Sequence, residues 1–395
     1  MLIDLFPDGL PTEHDERWLS VVHTLLKAEA DGLHRVVIRP QSLLALQGRF
    51  ESEHGESGRR LLLAKLGEDP ASRKGLLTLF LRHLRVVADP VETSTKDGPF
   101  VAHWTQLEVV SRCQGAALVG EGEDDVRFFV RLAEDVLRSR REGEGSPRGL
   151  ERLRVEFPKY RPGGGDQLAR HVRRWIDEDG PILAVVDSDR RRPGGGLGDT
   201  AKRAQKAAQE VHDAAIALSL FIPEGWRNLE NCVPEVVVEH IGKEKSPDSK
   251  DRISTLKSLG ALGLGKNTFL KLRAPGTMRK ALISSDDAEE AKWLRDLLGL
   301  FDNPTCSHPS VAGLPPCAPP KDEGRKKEEC RCPALVEGIR NLMPHALSVL
   351  GEDPEFKPGA YNLYDAHPKD GAREEFQRLG VELMSFGLAA ERRRA

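Results

Sequence analysis

The sequence predicts an α/β fold: a parallel sheet flanked by helices, with an N-terminal α/β extension and a mainly helical C-terminal region. Two observations support this prediction. Residues 106–240 alternate short apolar runs with amphipathic segments, which is the pattern of strands joined by crossover helices. The runs at 115–120 and 182–186 are apolar throughout, as expected for strands that are buried on both faces of a parallel sheet.

The central region supplies most of the predicted elements. Its strands are expected at 115–120, 153–157, 182–186 and 215–222, and its helices at 123–139, 166–178 and 199–213. The apolar face of the helix at 123–139 recurs at helical spacing and consists of Val126, Phe129, Val130, Ala133 and Val136. Crossovers between parallel strands are right-handed by default.

The flanking regions are predicted to be separate domains, which divides the chain into 1–105, 106–240 and 241–395. The N-terminal domain, whose role the sequence leaves unknown, is predicted to hold a helix at 14–30, an apolar run at 36–38 and a helix near 75–86. The C-terminal region is predicted to be mainly helical and to end in a helix at 374–388. A segment rich in Pro, Cys and charge, 302–333, is predicted to be an exposed insertion.

The composition predicts where the protein is located, but it does not predict which partner it binds. Lys and Arg together number 59 and Asp and Glu 62, so net charge does not indicate a partner. No run approaches the roughly 18 apolar residues of a membrane span. The N-terminus lacks the features of a signal peptide, and the six cysteines are expected to be reduced. These features predict a cytoplasmic protein.

Acidic residues end two of the predicted strands. Glu121 follows the first strand, and Asp187 and Asp189 follow the strand at 182–186. Ligands of open parallel sheets bind at the carboxyl ends of the strands. Carboxylates gathered there suit a hard cation such as Mg²⁺ or Mn²⁺, and such ions act on phosphate esters. The alternative for the two aspartates is an Asp-rich turn after a buried strand.

Asp125 has two interpretations of its own. It lies in the first turn of the predicted helix at 123–139, where the helix dipole favours a negative side chain. It is therefore either a simple helix cap or a further ligand of the cation.

These residues carry a resemblance to a known family. Glu121-Gly122 followed by Asp187-Ser188-Asp189 resembles the TOPRIM domain, the metal-binding fold of type IA topoisomerases, bacterial primases, recombination proteins and OLD-family nucleases. A β-branched residue usually precedes the glutamate, and Gly120 stands there in this chain. The segment 226–234 is similar to the Arg-x-x-Glu-Asn segment of OLD-like TOPRIM nucleases. The resemblance covers about residues 113–238.

The match within that last segment is residue by residue. Arg227, Glu230 and Asn231 agree with the family pattern, whereas Cys232 replaces the usual tyrosine. Without the family, Arg227 and Glu230 are only an i,i+3 ion pair at a helix start.

The resemblance implies a metal-dependent endonuclease that hydrolyses phosphodiester bonds, and such domains often act in bacterial defence against phage. Glu121, Asp187, Asp189 and Glu230 would then be catalytic, and the metal ligands would be Glu121, Asp125, Asp187, Asp189 and Glu230. The substrate is DNA or RNA, tRNA included. The chain has no convincing ATPase motif of its own, because its P-loop-like segment ends in Asn267, and a partner ATPase chain is therefore expected. Formation of a homo-oligomer stays open.

Two other functions remain as alternatives. One is a non-catalytic nucleic-acid-binding or sensor module that keeps the fold. The other is a topoisomerase or primase relative, for which 395 residues and three tyrosines leave little room.

Basic residues follow the Asp-x-Asp pair directly. Arg190, Arg191 and Arg192 form either a solvated basic turn or a contact to the nucleic-acid backbone, which arginine is suited to make. Arg227 belongs to the same predicted nucleic-acid contact.

The insertion at 302–333 holds a group of potential metal ligands. The alternatives are a structural Zn²⁺ site and an exposed loop, because the spacing departs from the usual two-residue gap between zinc ligands. The residues concerned are Cys306, His308, Cys317, Cys330 and Cys332.

Overall fold

The computed structural model describes most of the chain outside a long C-terminal stretch. The described residues are 1–5, 15–80, 82–88, 98–143, 146, 149–162, 170, 174–175, 178, 180–192, 194–211, 217–234, 236–238, 240–241, 287–299, 342–366 and 371–391. They fall into two compact units. The first comprises Met1–Val186, Lys202–Ile222 and Gln377–Ala395, and the second comprises Asp187–Ala201 and Pro223–Phe376.

The first unit begins with a parallel sheet of its own. Its elements are β1 (Leu2–Leu5), α1 (Asp15–Ala30), β2 (Arg35–Ile38), α2 (Pro40–Leu66), α3 (Pro70–Leu79), β3 (Leu84–Val87) and β4 (Phe100–His103). The strand order is β2-β1-β3-β4, and every pairing is parallel. The predicted helix at 14–30 is confirmed as α1. The predicted helix near 75–86 is wrong beyond Leu79, because the β-branched residues of β3 extend as a strand instead.

A second parallel sheet follows in the same unit. Its part of the chain contains β5 (Ala117–Gly120), α4 (Glu123–Glu142), β6 (Leu153–Val155), β7 (Lys159–Pro162), β8 (Ile182–Val185), α5 (Asp199–Val211) and β9 (Leu218–Phe221). The sheet order is β7-β5-β8-β9, again all parallel. The general α/β class predicted from the sequence is therefore confirmed. Most of the predicted helix at 166–178 lies outside the described residues.

One predicted strand has a different partner from the one expected. β6 falls within the predicted strand at 153–157, but it pairs antiparallel with β10 (Leu388–Ala390) and not with the parallel sheet. β7 takes the place beside β5. Its sequence, Lys-Tyr-Arg-Pro, lacks an apolar pattern, and Pro162 is tolerated there because β7 is an edge strand.

The C-terminal end of the chain belongs to the first unit. The predicted helix at 374–388 is confirmed as α9 (Gly371–Gly387), which leads directly into β10. Gly380 allows α9 to approach α4 closely, because a Cβ atom there would lie 2.7 Å from Cγ2 of Val136. The last helix therefore packs on the helix that follows β5.

The two sheets share one topology. In each sheet the second strand in the chain lies on one side of the first strand. The third and fourth strands lie on its other side. The order therefore reverses between β1 and β3 and between β5 and β8. In open parallel sheets ligands bind outside the carboxyl ends of the strands at such a switch point. For the second sheet, this rule predicts a ligand site at the residues after β5 and β8.

The described parts of the second unit are loops, 187–192 and 194–198 among them, and helices. It contains α6 (Ala288–Gly299), α7 (Leu342–Glu352) and the single turn α8 (Leu363–Ala366). The segments 302–333 and 260–267 lie outside the described residues, and with them the predicted cysteine and histidine ligands. In the part of the chain that is described, no helix has the length and apolarity needed to cross a membrane.

Candidate metal centre

The two strands that precede the predicted acids are direct neighbours. β5 and β8 pair in parallel, with Leu118 opposite Leu183, and both strands are fully buried. Glu121 is the residue directly after β5. Past the end of β8, the N–H of Val186 still donates to the carbonyl of Phe221 at 3.0 Å, so Asp187 is the first residue beyond the ladder. Both acids thus follow the carboxyl ends of adjacent strands in the chain.

The turn after β5 is closed by Asp125. Its Oδ2 atom accepts a hydrogen bond from the N–H of Gly122 at 2.8 Å, across the start of α4. Gly120 permits this tight turn, because a Cβ atom there would lie 3.1 Å from Cγ2 of Val126. The missing β-branched residue before Glu121 therefore reflects a close approach of the helix. Asp125 is a helix cap in this structure, which agrees with one of its two predicted interpretations.

Substitution of Asp125 separates capping from metal binding. Asp125→Ala should lower the free energy of unfolding by about 1 kcal/mol, because the hydrogen bond from its Oδ2 atom to the N–H of Gly122 is lost. Asp125→Asn keeps an acceptor oxygen and should cost much less. If Asn also leaves metal affinity unchanged, Asp125 is a cap alone, whereas a loss of affinity at unchanged stability identifies a ligand. Urea denaturation and Mn²⁺ titration measure the two effects.

Hydrogen bonds join the loop that contains Asp187, Ser188 and Asp189, the Asp-x-Asp loop, to the segment 226–229. Asp187 is buried, and its Oδ1 atom accepts the N–H of Leu229 at 3.0 Å. The hydroxyl of Ser188 donates to the carbonyl of Trp226 at 2.7 Å, and the N–H of Asp189 donates to the carbonyl of Arg227 at 3.0 Å. The structure therefore brings together the two sequence segments that carry the predicted acids Asp187, Asp189 and Glu230.

Asp189 adopts an uncommon backbone conformation. Its φ is 48°, the one positive value among the described residues other than glycine. Gly198 lies against it: a Cβ atom at Gly198 would come within 2.4 Å of Cβ of Asp189, and the N–H of Gly198 donates to the carbonyl of Ser188 at 2.9 Å. Sparsely populated conformations persist where surrounding contacts enforce them, and they cluster at functional sites.

Gly198→Ala should therefore displace the Asp-x-Asp loop. The new methyl group meets a Cβ atom that cannot rotate away, and we expect a loss of about 1–3 kcal/mol in the free energy of unfolding. Gly196→Ala is the matched control in the same loop, because nothing lies within 4 Å of a Cβ atom there. Equal stability of the two variants in urea denaturation would contradict this account of the loop.

Glu230 lies in a buried turn. It is part of the 3₁₀ turn Leu229–Cys232, and it is only 7% exposed. The side chain of Asn231 closes the turn by accepting the N–H of Asn228 at 3.0 Å. Cys232, which replaces the tyrosine of the resembled family, is fully buried, and burial raises the pKa of its thiol well above the usual range. This cysteine serves packing.

Arg227 supplies positive charge beside the aspartates. Burial lowers the pKa of its guanidinium, and the negative charges of Asp189, Glu290 and Asp187 oppose that shift. Its Nε atom is buried and has no hydrogen-bond partner among the described residues. A buried donor of this kind is costly unless a ligand completes it.

The predicted basic turn contacts acids that the sequence did not reveal. Arg191 lies 3.6 Å from a carboxylate oxygen of Glu290, and Arg192 lies 3.6 Å from one of Asp287 and also pairs with Glu289. Arg190 donates to the carbonyl of Gly195 in its own loop. The only signal in the sequence was the acidic start of α6, which by itself indicates helix capping.

The chemistry of the acids suits a hard cation, but their arrangement is incomplete. The donors are carboxylate oxygens, the ligands that Mg²⁺ prefers. Within the described ranges, no group of three or more His, Cys, Asp or Glu side chains is arranged to hold a metal ion. The features that favour a metal are therefore the donor type and the position of the acids after the strands.

Comparison with known proteins adds no assignment. No protein-family model, no curated protein and no solved structure matches this chain significantly.

Proposed function

We propose that the protein is a divalent-metal-dependent nuclease that hydrolyses phosphodiester bonds of DNA or RNA. The observation that supports this most is the Asp-x-Asp loop. It follows a buried strand next to the switch point of a parallel sheet, it contains Asp189 at φ 48°, and it is hydrogen-bonded to the segment that precedes Glu230. A surface turn that served only to connect elements would need none of these constraints.

Each acid has a role in the proposal. Glu121, Asp187, Asp189 and Glu230 would hold one or two Mg²⁺ or Mn²⁺ ions. A bound ion supplies Lewis-acid polarisation of the phosphodiester and a lowered pKa for the attacking water. Asp187 is held in place by the N–H of Leu229, which donates to its Oδ1 atom.

The arginines complete the proposal on the substrate side. Within the described parts of the chain, the buried Nε–H of Arg227 meets no acceptor, and its guanidinium lies next to the two aspartates. A phosphate oxygen is a suitable acceptor for that donor, since arginine binds phosphate with favourable geometry. The basic turn would contact neighbouring phosphates and position the strand.

A non-catalytic binding or sensor module is the second candidate, and one observation favours it. Buried like charges are costly without a counter-ion, which argues that retained acids serve a cation. Arg227 is itself a cation beside Asp187 and Asp189. The acids are therefore partly balanced by the chain itself and can persist without a metal.

Cleavage assays distinguish these two functions. The purified protein is incubated with plasmid DNA and with total RNA in Mg²⁺, in Mn²⁺ or in EDTA. The nuclease proposal expects cleavage of at least one substrate with metal and none in EDTA. Mn²⁺ titration by calorimetry is run in parallel. No metal binding and no cleavage would favour the non-catalytic module, and cleavage that persists in EDTA would contradict the metal site.

A further inference from the structure

Two arginines of the basic turn, Arg190–Arg192, pair with an acidic segment of the same unit. We call Asp287–Glu290 the acidic helix start, because it begins α6. Two arginines of the turn pair with its carboxylates, as the distances above show. The Glu290 side chain is 9% exposed and opposes the lowered pKa of Arg227. The acidic helix start therefore faces both groups of arginines in the proposed substrate contact.

The helix start is pre-organised for this contact. The Oδ1 atom of Asp287 accepts the N–H of Glu289 at 2.8 Å and of Glu290 at 3.1 Å, which fixes the first turn of α6. These backbone hydrogen bonds, and secondly Arg192, lower the pKa of the Asp287 carboxyl. The Asp287 carboxylate is thus favoured in its ionised form at the start of α6, opposite Arg192.

The pairing is weak enough to be exchanged. The side chains of Arg191, Asp287 and Glu289 are 66%, 51% and 72% exposed. Exposed ion pairs contribute little to stability and are screened by salt. A phosphate backbone presents many negative charges at once and gains in addition from counter-ion release.

Arginine binds carboxylate and phosphate with the same planar fork of donors. We propose that the acidic helix start is an intramolecular competitor: it occupies the basic turn and is displaced when a nucleic-acid backbone binds there. This inference rests on the proposed nucleic-acid contact of the turn, but it does not require that the acids bind metal or that the protein cleaves anything.

The test measures binding of a fluorescently labelled single-stranded DNA and of labelled tRNA by anisotropy in EDTA, which prevents cleavage. The variant Asp287→Asn/Glu289→Gln removes two exposed charges and keeps the acceptor oxygen of residue 287. It should bind about 5-fold more tightly than wild type near 50 mM salt, and the difference should shrink near 200 mM. Arg191→Ala/Arg192→Ala should bind more weakly than wild type.

The matched control is Glu352→Gln/Glu355→Gln, which changes net charge equally at two exposed residues. A gain in affinity confined to the first variant supports competition. An equal gain in both variants reflects overall charge and overturns the inference, as does no gain in either.

Hydrogen exchange adds a direct readout, because amides of 288–299 should exchange faster when the nucleic acid is bound. Unchanged exchange would also overturn the inference.

These outcomes are separable from those of the nuclease proposal. Failure of cleavage with normal competition would refute only the nuclease. Cleavage that depends on metal, together with equal binding by all variants, would refute only the competitor.

Discussion

Asp187→Asn should reduce metal-dependent cleavage by at least about 100-fold while the protein stays folded. Asparagine keeps an acceptor oxygen for the N–H of Leu229, so the hydrogen bond that places the loop survives. What it removes is the negative charge, which a divalent cation requires. Loss of groups that merely support a metal ligand already costs about 10–100-fold, so loss of a ligand should cost more. Glu121→Gln should have a comparable effect, because it removes a charge after the neighbouring strand.

The control for both variants is Asp124→Asn. Asp124 lies in the first turn of α4 beside Asp125, and the substitution removes an equal charge close to Glu121 in the sequence. We expect it to leave cleavage within about 2-fold of wild type, since the helix-dipole contribution of one such charge is only a few tenths of a kcal/mol to 1 kcal/mol. Cleavage by Asp187→Asn at the wild-type rate, with circular dichroism unchanged, would remove Asp187 from the site.

The sequence predicted the buried part of the second sheet well, and the reason is burial itself. β5, β8 and β9 are almost entirely buried and therefore apolar, and such apolar runs are visible without a structure. β7 was missed, because an edge strand carrying Lys159 and Arg161 has no apolar pattern to detect. β6 was found but given the wrong partner, since pairing with β10 joins residues far apart in the chain.

The candidate site was also predictable only in part. The acids after the strands were recognisable from short spacing, and so was the alternative that Asp125 is a cap. Two sets of contacts were not recognisable from the sequence. They are the hydrogen bonds from the Asp-x-Asp loop to residues 226–229 and the ion pairs of the basic turn with Asp287 and Glu289. Both depend on contacts between segments that no local pattern connects, and the second adds ion pairs with acids to a basic turn that remains partly solvated.

His34 should make the stability of the protein fall steeply below neutral pH. This residue is fully buried where the chain enters β2, and its Nε2 atom lies 2.7 Å from the carbonyl oxygen of Cys113. Burial lowers the pKa of the His34 imidazole from 6.5 to about 3. Below pH 6.5, His34 therefore binds a proton in the unfolded chain but stays neutral in the folded chain. The stability that neutral His34 confers is complete above pH 6.5 and is lost as pH falls towards 3, by about 2 kcal/mol at pH 5.

His34→Gln tests this linkage. The glutamine amide can still donate to the Cys113 carbonyl, but it does not titrate. The variant should be less stable than wild type at pH 7, because its shape fits the buried site less well, and its stability should fall less between pH 7 and pH 5, with a difference in slope worth about 2 kcal/mol. Urea denaturation at several pH values measures the free energy of unfolding of both proteins as a function of pH.

Above pH 7.5 the two curves of stability against pH should run parallel, which serves as the internal control because His34 is then neutral in both the folded and the unfolded state. Curves that stay parallel down to pH 5 would show that His34 titrates in the folded protein, and the buried contact between β2 and the turn at Cys113 would then be looser than the structure shows.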